Sequence, residues 1–329
     1  MRCPAKALAV AIVAPTVLAP CAVEGVRPAA SISTVRLFGH TEYTITFPFV
    51  DERQVSYLGE SRLEFPLDVW MGGGNVSIRG EGWEPAWSLG CAVRRNLSHP
   101  HDPMTDRDWL TELPTDTRWL YSSTESGAEL TAWFVEADLR ARLLHRGPAV
   151  LAGRLGYRYT RLSYDIRGLD GWLNEGTGPR PYPHVDDEVQ VLTYRVSHHL
   201  PLVGMAIEVR SAHGLEAEVG ARFSPHAYAN DLDDHVLRFK TAESTCTGTA
   251  YIFDLRAHVP LPSSRVPAGM FVELRAEWGR VDTDGDQSQR WYGDDPVSEE
   301  NDTGGSISGI DSRIEAEMAS VSLWWGWGL

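Results

Sequence analysis

Thr131-Ala132-Trp133-Phe134-Val135-Glu136-Ala137-Asp138-Leu139-Arg140-Ala141-Arg142-Leu143 reads as one long strand. Thr131, Trp133, Val135, Ala137, Leu139, Ala141 and Leu143 share one face, and Ala132, Phe134, Glu136, Asp138, Arg140 and Arg142 share the other. Successive side chains of a strand point to opposite faces, so the segment has one apolar wall and one largely charged wall. The pattern returns at Leu215, Ala217, Val219 and Ala221 against Glu216, Glu218 and Arg222. It returns again at Tyr251, Phe253, Leu255, Ala257 and Val259, and at Val272, Leu274, Ala276 and Trp278. A membrane barrel turns the apolar face to lipid and the charged face to a wet lumen; a soluble sandwich does the opposite. Runs such as 188–209 exceed the roughly five or six residues of a sandwich strand. The expected fold is therefore all-β: a ten-stranded antiparallel transmembrane β-barrel with long extracellular loops.

The expected strands are 34–49, 53–70, 75–96, 127–145, 149–168, 188–209, 214–230, 246–260, 267–284 and 307–329. Short turns rich in Gly, Pro or Ser fall at Met71-Gly72-Gly73-Gly74, Arg146-Gly147-Pro148, Ser211-Ala212-His213-Gly214 and 260–267. Longer polar connections fall at 97–126, 169–187, 231–245 and 285–306. Short turns at one rim and long loops at the other are the habit of outer-membrane barrels, and an even count closes the sheet without an edge. In the last strand Val321, Leu323, Trp325, Trp327 and Leu329 share a face, but Ile314, Ala316 and Met318 lie on the other parity, which predicts a bulge or slip near Ala319.

Composition narrows the class. A net charge of −15 over 329 residues argues against a nucleic-acid partner and favours a cationic ligand. Arg2 and Lys6 precede the apolar run of residues 7–19, too short to span a bilayer, so residues 1–30 read as a signal peptide cleaved between about 20 and 31, before a single domain over 31–329. Leu18-Ala19-Pro20-Cys21 resembles a lipoprotein box, but proline directly before the cysteine departs from it, which favours ordinary cleavage. Beyond the leader only Cys91 and Cys246 remain, too few for a disulfide framework and without the spacing of a metal site. Asp282-Thr283-Asp284-Gly285-Asp286 resembles the start of a calcium loop but lacks the later bidentate Glu, so a solvated hairpin loop is expected there.

Two acidic clusters carry the candidate chemistry: Asp106-Arg107-Asp108-Trp109 and Asp231-Leu232-Asp233-Asp234-His235. In a ten-stranded ring their connections open at one rim, nearly opposite each other. Each pair is spaced i, i+2, so strand extension into the loop bases would point both members the same way. Asp233 would orient His235 as a general base, and Asp106 and Asp108 would hold a water. The same groups would also suit a divalent cation, and acidic loops on an acidic protein are commonly no more than solvated surface. Three readings stay open on spacing alone: a water-activating hydrolase, a metal-dependent hydrolase, and a non-enzymatic barrel such as an adhesin or narrow porin.

Several segments, in order, resemble the omptin family, the aspartate–histidine proteases of the bacterial outer membrane. Asp106-Arg107-Asp108-Trp109-Leu110 is similar to its Asp-x-Asp-Trp block and Asp231-Leu232-Asp233-Asp234-His235 to its second acidic block. Gly156-Tyr157-Arg158-Tyr159-Thr160-Arg161, Leu200-Pro201-Leu202-Val203-Gly204 and Leu37-Phe38-Gly39-His40-Thr41-Glu42 are supportive. The resemblance implies an endopeptidase that cleaves cationic peptides or proteins beside basic residues, with Asp233 and His235 as the dyad and Asp106 and Asp108 as the water-holding pair. It implies Asp231 and Glu42 as the substrate-binding acids and Tyr157 and Arg161 as lipopolysaccharide-binding residues, with Asp116 at a further acidic position. It implies no metal and no cofactor, leaves open whether lipopolysaccharide is required, and predicts a monomer in the outer membrane with its active site facing outward. Two departures stand out: Ser197 where the family has a lipid-contacting arginine, and Asp234 between the dyad residues where it usually has Glu.

Overall fold

A computed structural model describes residues 25–51, 53–80, 86–174, 178–212, 214–262, 264, 266–296, 298 and 301–328. The strands are β1 (Val26–Val50), β2 (Ser56–Gly80), β3 (Trp87–Asn96), β4 (His101–Glu112), β5 (Thr117–Arg146), β6 (Ala149–Asn174), β7 (Pro179–Pro181), β8 (Val185–Arg210), β9 (Glu216–His235), β10 (Lys240–Pro260), β11 (Met270–Trp291) and β12 (Ser306–Gly328). All pairings are antiparallel, and β1 pairs with both β2 and β12, which closes the sheet on itself. β3 and β4 each lie between β2 and β5 and so share one place in the ring, while β7 pairs with β6 alone. The ring thus has ten places, and the ten-stranded barrel expected from the alternation is the fold observed. The expected leader lies outside the described residues as far as residue 24; residues 26–30 are already β1, with Ala29 opposite Gly328.

Four boundaries differ from expectation, each for a physical reason. Met71-Gly72-Gly73-Gly74 is not a turn but lies inside β2, which runs on to Gly80 before β3 begins at Trp87. The glycines are there because backbones approach closely: a Cβ on Gly73 would stand 2.2 Å from the Val93 carbonyl oxygen. The expected loop 97–126 is largely strand, interrupted at 97–100 and tipped at 113–116, where Asp116 takes a left-handed φ of 54°. Asn96 bridges the interruption as a peptide group would, accepting from the Ala132 N–H at 3.0 Å and donating to the Leu130 carbonyl at 3.0 Å. The expected loop 231–245 is a tight hairpin of β9, a 3-10 turn at Val236–Arg238 and β10. The calcium-like stretch lies inside β11, with Arg313 ion-paired to Asp282 at 2.8 Å.

No slip occurs near Ala319. β12 pairs with β1 in unbroken register from Asp311 to Gly328, and Ile314, Ala316 and Met318 are buried inside the barrel. Parity is kept; the chemistry changes. Near the rim that carries the chain ends, the outward face is apolar, with Leu155, Val203, Met205, Ile207, Val219, Phe253, Leu255, Leu274 and Leu323 exposed. The inward face there carries a buried ion network. Arg158 pairs with Glu277 at 2.6 Å and Glu136 at 3.0 Å, and Arg222 pairs with Glu136, with Glu277 at 2.9 Å and with Asp254 at 3.4 Å. Below it opens a cavity of about 850 Å³, lined by both charged and apolar side chains. Toward the opposite rim the inward face becomes apolar: Leu63, Phe65, Leu67, Leu130, Leu162, Tyr164, Ile166, Tyr194, Val196 and Ile314 form a packed core. The apolar outer wall is the membrane belt; above it, water lies outside and the hydrophobic groups turn in.

Candidate active site

The rim above the apolar core, here the mouth, carries both acidic clusters. Tyr43, Phe65, Tyr164 and Tyr194 pave its floor: Phe65 and Tyr194 stack at 4.2 Å between ring centroids, Tyr43 and Tyr194 at 5.4 Å, and Phe65 meets Tyr164 at 5.0 Å. Four long inward side chains from β1, β2, β6 and β8 converge because the strands alternate inward at the same level. They lie between the mouth and the ion network.

Asp231, Asp233 and His235 follow each other at every second residue of β9, on its inward face. His235 Nε2 lies 2.9 Å from Asp233 Oδ2. Nε2 is therefore tied to the carboxylate and Nδ1 is the nitrogen left to accept a proton. Asp233 is completely buried, and the same Oδ2 accepts a hydrogen bond from the Tyr43 hydroxyl at 2.7 Å, a contact reaching across the barrel from β1. On β4, Asp106 accepts from Ser61 at 3.4 Å and Asp108 from Ser122 at 2.6 Å. β4 and β9 are four places apart in the ring. Burial, followed by the charges of Asp108 and Asp233, raises Asp106 well above the usual carboxylate range. The two clusters thus feel each other, and both burial and the neighbouring carboxylates favour the protonated form of Asp106.

Asp231 sits deeper. The Ser244 N–H donates to its Oδ1 at 2.8 Å, while its Oδ2 has no hydrogen-bond partner. Burial pushes it up to about 7. Beside it runs a polar chain: Gln289 donates to Gln287 at 2.7 Å, Gln287 to Ser244 at 3.2 Å and Ser312 to Ser244 at 3.1 Å. Glu42 does not join this group. It stands on the opposite face of β1 from Tyr43, ion-paired with Arg62 at 2.8 Å, and the inward place at this level belongs to Tyr43. The acid expected to partner Asp231 is thus held on the outer side of the sheet.

Tyr43 and Lys240 escaped the sequence reading. Lys240 is the direct cross-strand partner of His235 and is buried, with its ammonium 5.9 Å from the Trp291 ring centre. Burial and then Arg238 lower it to about 8, while Asp233 and Asp106 act in the other direction. Arg238 itself is engaged by Asp295 at 2.8 Å. The HVLRFK spacing after His235 is the signal that was available for Lys240: two inward positions facing each other across a tight hairpin. Nothing local marks Tyr43, whose partner lies 190 residues away. Among the described residues no group of three or more His, Cys, Asp or Glu side chains is arranged to hold a metal ion.

On the outer wall, Tyr157 donates to or accepts from His199 Nδ1 at 2.6 Å, and Arg161 lies four residues further along β6 on the same face, beside Trp133 and Ser197. They mark the upper edge of the apolar belt.

A closed barrel with an apolar outer belt and a carboxylate–histidine cluster at its mouth defines an outer-membrane protein that carries chemistry rather than a bare pore. The omptin family model matches residues 75–258, more than half of the chain, and the chain belongs to this family of outer-membrane proteases. Among solved structures it is similar to the outer membrane protease OmpT from Escherichia coli, with a TM-score of 0.67 and 17% identity over 92% of this chain and 97% of that one, a likeness of fold. The translocator domain of the autotransporter NalP from Neisseria meningitidis gives a TM-score of 0.33 and 11% identity over 92% and 88% of the two chains, too remote in shape to bear on the argument. A comparison with curated proteins gives no match.

Proposed function

We propose that the protein is an endopeptidase that opens outward from the bacterial outer membrane and cleaves cationic peptides beside basic residues. The observation that carries this reading is the 2.9 Å contact of Asp233 with His235 on a strand facing Asp106 and Asp108 across the mouth. Water held by Asp106 and Asp108 gives a proton to His235 Nδ1 and its oxygen attacks the peptide carbonyl carbon. Asp233 stabilises the resulting imidazolium. The imidazolium returns the proton to the leaving nitrogen as the C–N bond breaks. Asp106, whose carboxyl burial and neighbouring charges shift toward the protonated form, would donate a hydrogen bond to the water or to the oxyanion that forms from the carbonyl. Asp231 takes the basic side chain without help from Glu42, which is turned away to Arg62.

In this reading Tyr157 and Arg161 would take a phosphorylated headgroup of lipopolysaccharide at the belt. Refolded protein supplied with lipopolysaccharide is expected to cleave a fluorogenic peptide containing Arg-Arg, in chelator and in serine-protease inhibitors alike. Replacing both arginines by citrulline removes the charge that Asp231 recognises and should lower kcat/KM by about a hundredfold. Loss of activity on chelation contradicts the water–dyad mechanism, and absence of cleavage in all conditions contradicts the endopeptidase reading.

A further inference from the structure

We propose that Tyr43 is a positioning residue of the dyad: from the far side of the barrel its hydroxyl fixes the Asp233 carboxylate and weakens that carboxylate's hold on the His235 proton. The inference rests on the endopeptidase reading above. Asp233 Oδ2 receives two donors, the Tyr43 hydroxyl at 2.7 Å and His235 Nε2 at 2.9 Å, while Oδ1 has none. A carboxylate shared in this way is a weaker base toward either donor than one that serves His235 alone. The hydroxyl is not free to wander. The Tyr43 ring is 1% exposed and stacks on Tyr194 with an interplanar angle of 14°, and Tyr194 stacks on Phe65 at 8°. β1 and β9 are four places apart in the ring, so this hydrogen bond also ties opposite walls of the mouth together.

The setting makes the tie chemically necessary. Asp233 faces Tyr43 from β1, Asp106 from β4, Tyr194 from β8, Asp231 on its own strand and Lys240 from β10. Two carboxylates and one ammonium surround a carboxylate with no access to water. Without the phenol, Asp233 would have His235 as its sole hydrogen-bond donor and would draw the proton toward Nε2 and the imidazolium form. The base would then be protonated already over more of the pH range. With the phenol in place, the Asp233 carboxylate divides its accepting capacity between two donors and draws less on the His235 proton. Burial and Asp233 together raise Tyr43 itself well above its ordinary value, so it remains a donor throughout the working range.

Tyr43→Phe removes the oxygen and keeps the stacked ring. In refolded barrel with lipopolysaccharide and an Arg-Arg peptide, kcat should fall about tenfold with KM nearly unchanged. The acid limb of kcat/KM should move to higher pH by roughly half a unit to one unit, because the freed carboxylate raises the basicity of His235. Tyr164→Phe, which loses a 3.2 Å bond to the Pro66 carbonyl in the same aromatic floor, should leave the acid limb in place. An acid limb that stays put in Tyr43→Phe, whatever happens to kcat, overturns the positioning role and leaves the endopeptidase reading intact. Wild-type protein that cleaves nothing overturns both. The thermal midpoint of each variant separates a fold defect from the limb shift, which a merely structural tyrosine would not produce.

Discussion

The two halves of β6 obey the same alternation with opposite chemistry. In its lower half Leu155 and Tyr157 face lipid while Arg154 and Arg158 face the lumen; in its upper half Arg161, Asp165 and Arg167 face out while Leu162, Tyr164 and Ile166 face in. The change falls near Thr160. Below it, solvent is hydrocarbon outside and ions are sheltered inside; above it, water lies outside and an apolar core lies inside. The lower half anchors and the upper half is a small water-side barrel that holds carboxylates at its mouth. The division follows: the buried ion network belongs to the anchor, and the clustered carboxylates with His235 belong to the other end, with the aromatic floor between them.

The comparison breaks most severely at the ion network. Arg222 contacts Glu136, Glu277 and Asp254 inside the belt. Arg222→Met leaves Glu136 and Glu277 with Arg158 alone and Asp254 with Arg154, an uncompensated negative charge in the belt, and should cost about 3–5 kcal/mol, or prevent refolding. Urea-induced unfolding measures it, and any refolded fraction should keep normal activity per molecule. A smaller effect tests where the belt ends. Leu255→Arg places a charge on the lipid face and should cost about 2–4 kcal/mol. The same substitution at Thr247, on the outward face of the same strand but above the belt, should change stability by less than about 0.5 kcal/mol. Equal costs at the two positions would erase the distinction between the halves.

The smallest effect concerns pH at the mouth. Asp231 is raised to about 7, so its charged form, which in the proposed function would receive a basic side chain, is present above that pH and is lost as pH falls through it. KM for an Arg-Arg peptide should therefore rise as pH drops below about 7, approaching tenfold per unit, or about 1.4 kcal/mol. Asp231→Asn should raise KM and flatten that dependence. A KM independent of pH in the wild type would place the recognition of the basic residue elsewhere.

Period-two alternation made the barrel, its ten places and the facing of the two acidic clusters legible in the sequence, because each strand repeats the same rule. It misled where a single rule met two solvents. Ile314, Ala316 and Met318 looked out of phase only on the assumption that apolar groups always face lipid. The strands within 97–126 were hidden for the same reason, their outward positions being as polar as a loop. Gly72-Gly73-Gly74 looked like a turn because close backbone approach and a turn both select glycine. Glu42 matched by resemblance one residue away from the inward position, and one residue in a strand is a change of face. Tyr43 reaches the dyad only through closure of the ring, which no local pattern encodes.

The central claim is that the mouth performs hydrolysis with the Asp233–His235 dyad. Cleavage of the Arg-Arg peptide by refolded His235→Ala, beside wild-type protein at equal folded concentration near pH 7.5, tests it most directly. The account predicts a fall in kcat of about a thousandfold or more with the thermal midpoint unchanged. Cleavage at the wild-type rate would contradict it.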